Sequence, residues 1–159
     1  MKTNQKGFTL AELLAVIVIM CVLALIGIPT VTKYISNSKK SAYITTVKSY
    51  VSAVEKAYNS DMLDCSGDVG KFYVDFSDAK KLMENGKSPY GGEIKGNIRI
   101  NVANNGEPTF SVFSRDDKNT GTSLINANQL NPNQKDIIKK DIPDDYTINE
   151  GYVKCVPKS

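Results

Sequence analysis

From Leu13 to Thr32 the chain runs through 20 consecutive positions without a charged residue. A helix rising 1.5 Å per residue needs about 20 residues to cross a hydrocarbon core roughly 30 Å thick. The run therefore predicts a membrane-spanning helix. A secretory signal would have a shorter apolar core and a small-residue cleavage site after it. Here an amphipathic helical pattern follows instead, so the segment is expected to stay in the protein. Within it, Pro29 has no amide hydrogen and its ring meets the carbonyl of Leu25, which, next to Gly27, predicts a kink or local unwinding over residues 25–29.

Beyond Pro29 the apolar residues thin out to one face. Tyr43, Val47, Tyr50, Val51, Val54 and Tyr58 recur at helical spacing, with Lys40, Lys48, Ser52, Glu55 and Lys56 opposite. This is the pattern of a stem helix laid against a small domain, ending near Asn59 to Asp61. If continuous from Thr9 to Asn59 the rod would be roughly 75 Å long. Residues 61–92 read as a connecting loop holding one short helix, "AKKLMENG", capped by Ser77 or Asp78 and stopped by Gly86, followed by the turn "SPYGG". Ile94, Ile98, Ile100 and Val102 then alternate with Lys95, Asn97, Arg99 and Asn101, with Gly96 on the apolar side. That is a half-buried strand, and "ANNGEP" turns it into a second strand at 109–114. Asn131-Pro132 predicts a helix start, with "QKDIIKKD" running to about Lys140. Tyr146 to Ile148 and Tyr152 to Val156 are the last strand pieces, broken by Gly151. The fold class expected is α+β, a long N-terminal helix packed on a small antiparallel sheet.

Composition changes the picture in three ways. The formal charge is +3, and Lys2 and Lys6 supply two of those charges ahead of the apolar run, so the rest of the chain is near neutral (3 − 2 = +1) and gives no support to nucleic-acid binding. Under the positive-inside rule the same two lysines place the chain start in the cytoplasm and everything after Lys33 outside, although Lys33, Lys39 and Lys40 weaken the asymmetry. Second, there is no histidine, so no standard Ser-His-Asp triad can be built, and no phosphate-cradling glycine loop appears. The chain is not expected to be an enzyme; no catalytic residue, metal ligand or cofactor is assigned. "SRDDKNTGTS" offers Asp116, Asp117 and Asn119 but not the spacing of an EF-hand, and reads as a solvated turn. Third, of the three cysteines Cys21 lies deep in the apolar run, which leaves Cys65 and Cys155 as partners for a disulfide outside the membrane or as two reduced thiols.

The start of the chain then acquires a meaning. Gly7, Phe8, Thr9, Leu10, then Glu12, Leu13, Leu14 and the long apolar run resemble the N-terminus of type IV pilins and pseudopilins. The resemblance is sharp over residues 6 to about 35 and only architectural afterwards. It implies that a prepilin peptidase cuts between Gly7 and Phe8 on the cytoplasmic side and that Phe8 is N-methylated. It also implies that Glu12 meets the terminal amine of a neighbouring subunit's Phe8 as helices pack, which would compensate the burial of both charges; interfacial snorkelling is the other reading of Glu12. The organisation implied is a leader at 1–7, a transmembrane and polymerisation helix at 8–32, an amphipathic stem at 33–60 and a globular head at 61–159. The implied function is a structural subunit of a type IV pilus or pseudopilus. Its implied partners are copies of itself and other pilins, the prepilin peptidase, an inner-membrane assembly platform and membrane lipid, with nucleic acid only for a competence pilin. Before assembly it would be a single-pass membrane protein with an external C-terminus, and afterwards part of an extracellular filament. Competence or type II secretion pseudopilins, some of which bind calcium in a late loop, and a non-polymerising surface-binding module are the alternatives. "SPYGG" loosely resembles the proline-aromatic-glycine turn of the secretion subfamily.

Overall fold

The computed structural model describes residues 7–66, 70–83, 87–143, 148 and 151–158. The leader residues 1–6 and the expected helix stop at Gly86 lie outside this set, as do Tyr146 and Thr147 of one expected strand piece. By internal contacts the chain forms two compact units, Met1–Asn37 and Ser38–Ser159, and one helix, α1 (Leu10–Asn59, 50 residues), contributes to both.

In the first unit every residue from Gly7 to Ser36 is exposed, including the apolar side chains of Leu13, Ile17, Leu23, Ile26 and Val31. A helix that is apolar all round has no face to give to water and is at rest only in lipid or among other helices. This one is long and apolar enough to cross a membrane. It continues as helix through Gly27 and Pro29. Thr30 Oγ1 donates to Ile26 O (3.2 Å) and Thr32 Oγ1 to Pro29 O (2.9 Å), placing hydroxyls against carbonyls of the turn that proline interrupts.

In the second unit the expected stem stripe is the core. Tyr43, Ile44, Val47, Tyr50, Val51, Val54 and Ala57 are all buried, a three-and-four spacing that adds Ile44 and Ala57 to the anticipated set. Tyr58 is only partly buried, its ring edge-on to Phe110 at 6.3 Å between centroids. The stripe packs against a five-stranded sheet formed by β2 (Lys71–Asp75), β3 (Lys95–Val102), β4 (Pro108–Arg115), β5 (Gly121–Asn126) and β6 (Val153–Lys154) in the order β5-β4-β3-β2-β6. Phe72, Val74, Ile98, Ile100 and Val112 face the helix. A separate two-stranded ladder joins β1 (Leu63–Asp64) to β7 (Val156–Pro157).

Several expectations are corrected. The sheet is mixed, because β6 runs parallel to β2 while the other pairs are antiparallel. The hairpin of β3 and β4 is where the alternation put it, but β3 is not half-buried. Its second face holds Asn97 and Arg99, both nearly inaccessible, with the Tyr152 ring 5.0 Å from the guanidinium carbon of Arg99 and the Tyr152 hydroxyl donating to Asn101 Oδ1. Residues 61–92 contain two strands as well as a short helix. That helix, α2 (Phe76–Ala79), starts before the expected cap and passes into a 3-10 turn at Lys80–Leu82. Asp78 does not cap it, being drawn inside the helix to Lys81 and Lys154. The helix expected to follow Pro132 is only a 3-10 turn, Lys135–Ile137. Beyond it the backbone bonds laterally instead of along a helix: Gly121 and Lys139 exchange amide hydrogen bonds of 3.0 and 2.8 Å, and Ile142 N–H donates to Asn119 O.

Candidate processing and assembly site

The residues that carry the family resemblance sit at the start of α1. Phe8 is 90 % exposed, and Gly7 has open space where a side chain would stand and no left-handed backbone. Among the described residues nothing therefore requires glycine at position 7. Thr9 is the cap. Glu12 N–H donates to Thr9 Oγ1 (3.3 Å), while Glu12 Oε2 accepts from both Thr9 N–H and Thr9 Oγ1 at 2.8 Å. This is the reciprocal capping box of a threonine followed three residues later by glutamate, satisfying amides that the first helical turn leaves without partners.

The threonine of "TLAE" is thus a functional position in its own right, signalled in the sequence by a glutamate three residues after it. The geometry ties Glu12 to Thr9, beside the proposed new terminus. Gly7, Phe8 and Glu12 thus lie within one stretch of chain, and Gly27 and Pro29 lie four to five turns further along α1.

The other expected site is closed covalently. Cys65 and Cys155 form a disulfide across 90 positions, with Cα atoms 4.4 Å apart, while Cys21 is free and exposed. Around the bond the C-terminus is laced down residue by residue. Cys155 N–H donates to Tyr73 O (2.8 Å), Lys158 N–H to Met62 O (2.9 Å), and Lys154 Nζ reaches Asp75 (2.7 Å) and Asp78 (3.0 Å). Hydrogen bonds from Lys81 and Lys154 hold the Asp78 carboxyl below its ordinary pKa, and the two aspartates raise that of Lys154.

The acidic loop is not simply a solvated turn. Asp116 is buried, its Oδ1 accepting from the Lys118 and Thr120 amides (both 2.9 Å) and its Oδ2 from Ser88 Oγ (3.0 Å), so it joins this loop to the "SPYGG" turn. Asp117 pairs with Lys95 (2.9 Å) and accepts from Glu93 N–H, contacts that lower its pKa. No group of three or more metal-ligating side chains occurs among the described residues.

Comparison with known proteins follows the same two-part division. The model of the prokaryotic N-terminal methylation motif matches residues 2–28. A fimbrial protein of Pseudomonas aeruginosa is 28% identical over 130 residues, covering 77% of this chain and 75% of that protein. The type IV major fimbrial protein FimA of Dichelobacter nodosus is 42% identical over 55 residues, 35% of each chain. No solved structure matches. A methylation motif running into an apolar helix, a stem continuous with it, a small sheet domain, and a fimbrial relative along three-quarters of the length make this chain similar to type IV fimbrial proteins.

Proposed function

We propose that the chain is a structural subunit of a type IV pilus or pseudopilus that is stored in the membrane, cut between Gly7 and Phe8, and polymerised through α1. The carrying observation is that the methylation motif opens directly onto a helix whose whole surface from Gly7 to Ser36 is exposed and largely apolar. Such a surface is satisfied by lipid before assembly and by neighbouring helices after it. The open space at Gly7 among the described residues supports a role in recognition by a prepilin peptidase, and methylation of the Phe8 amine follows in the same reading. Glu12 then receives the amine of a neighbouring Phe8, and Pro29 with Gly27 bends or loosens the spanning part so that helices can pack.

The division of labour is a leader at 1–7, a transmembrane and polymerising segment at 8–32, a stem at 33–60 and an external head at 61–159. The partners are copies of this chain, other pilins, the peptidase, the inner-membrane assembly platform and lipid. The role is mechanical and not catalytic. Deleting the gene and scoring surface filaments, protein secretion and DNA uptake separates the pilus from the secretion and competence forms. Loss of none of the three would favour an anchored module that does not polymerise.

A further inference from the structure

The hairpin tip between β3 and β4 reads Ala103-Asn104-Asn105-Gly106-Glu107, and all five residues are exposed. Asn105 Oδ1 accepts from Glu107 N–H at 3.1 Å, and Asn105 Nδ2 donates to Glu107 Oε2 at 3.0 Å. One residue, Glu107, thus holds both ends of the Asn105 amide. Gly106 has φ +83° and open space, among the described residues, where a Cβ would stand, so no side chain of its own obstructs approach to its nitrogen.

We propose that this turn is a self-modifying site, at which Asn105 is converted to aspartate and isoaspartate by its own neighbours. The Gly106 nitrogen attacks Asn105 Cγ, and the electron pair of the carbonyl moves onto Oδ1, where the Glu107 N–H holds the developing oxyanion. The proton lost from the Gly106 nitrogen is returned through the Glu107 carboxylate to Nδ2, which leaves as ammonia. Water then opens the cyclic imide on either side. One ammonia leaves, one water enters, and nothing is oxidised or reduced. The Gly106 N–H is donated to Ala103 O (2.8 Å), so the turn must open at that bond before the nitrogen can react. The opening is local because the whole tip is in water. The product sets a new carboxylate against that of Glu107 and removes the Nδ2 donor, so each event adds negative charge to the head and breaks one contact of the turn.

The test is to hold the purified full-length chain, in detergent, in mildly alkaline buffer and follow position 105 by peptide mass and isoaspartate content. Wild type is compared with Glu107→Gln, each both folded and in denaturant. Glutamine keeps the backbone donor and an acceptor for Nδ2 but cannot take up a proton and return it. The expected result is conversion about tenfold slower in folded Glu107→Gln than in folded wild type, a small share of what positioned proton transfer contributes in enzymes. In denaturant the two proteins should convert alike. Equal rates for the two folded proteins would overturn the proposal, as would faster conversion of wild type in denaturant than in the fold.

Discussion

At the scale of single residues Glu12 has one role that the structure shows and one that is proposed for it. Its Oε2 closes a capping box on Thr9, and its position beside the proposed Phe8 terminus suits it to a neighbour's amine. Substitution separates them, because glutamine serves a capping box as glutamate does but carries no charge. If pairing with an amine is what matters, Glu12→Gln and Glu12→Leu should both be inserted and cut after Gly7 yet leave no filaments, since the incoming amine would lack its counter-charge. Thr9→Ala, which removes the cap and keeps the charge, should still assemble. Immunoblots of sheared filaments against membrane fractions report the outcome, and filaments at wild-type level from Glu12→Gln would reduce Glu12 to a cap. Other residues were legible only in part. Tyr43, Val47, Tyr50, Val51 and Val54 announced their burial by spacing, whereas Gly121 sat in a stretch read as a turn. Its requirement comes from close approach: an added Cβ would lie 1.9 Å from Ser114 O on the neighbouring strand, a distance no local pattern encodes.

At the scale of elements, those that carry their own periodicity were readable and those made by their partners were not. α1 and the β3–β4 hairpin belong to the first kind. β5, "GTSLIN", has little alternation of its own and exists because β4 offers a ladder; "QKDIIKKD" has helical spacing, but the backbone of residues 139–142 is taken by Gly121 and Asn119. The C-terminal segment is the extreme case. β6 and β7 are two residues each, paired in different sheets on either side of Cys155, with the disulfide and the ion pairs beside them. Replacing both cysteines by serine should therefore free residues 151–158. In the chain-entropy model a closure across 90 positions stabilises by roughly 4 kcal/mol, so a clearly lower melting temperature and early proteolysis at the C-terminus are expected. An unchanged melt would mean that the strands hold themselves. The ion pairs predict an acid response. Asp78 has a lowered pKa in the folded chain, so its contribution is complete above the ordinary carboxylate range and is lost as pH falls through the folded value. Denaturant titrations in acid should show Asp78→Asn losing less stability than wild type over that interval; equal losses would remove Asp78 from the account.

At the scale of the whole chain, the two units are governed by different solvents. The head is stable for reasons internal to it, a buried stripe on a sheet and a laced C-terminus, while the apolar surface from Gly7 to Ser36 is left exposed by the described residues. Only the first kind of information could be completed by folding one chain. The methylation motif and the spanning length were readable at once because both are local in sequence, whereas the packing of α1 in an assembly depends on copies that a single chain does not contain. This division makes a prediction about Gly7. Since no contact or backbone conformation needs glycine there, Gly7→Val should leave the head folded, Cys65 joined to Cys155, and α1 inserted in the membrane. What should change is recognition by the peptidase, for which a β-branched side chain at the scissile bond is an obstacle. Intact-mass analysis of wild-type protein from peptidase-competent cells should show loss of residues 1–7 and one added methyl group on Phe8. The variant should retain all seven residues, carry no methyl group and yield no filaments, with its head as resistant to protease as wild type. Cleaved and polymerised Gly7→Val would show that position 7 is not what the processing step reads. An uncleaved variant that still polymerised would separate assembly from processing, and the charge placed on Phe8 could then no longer be the partner of Glu12.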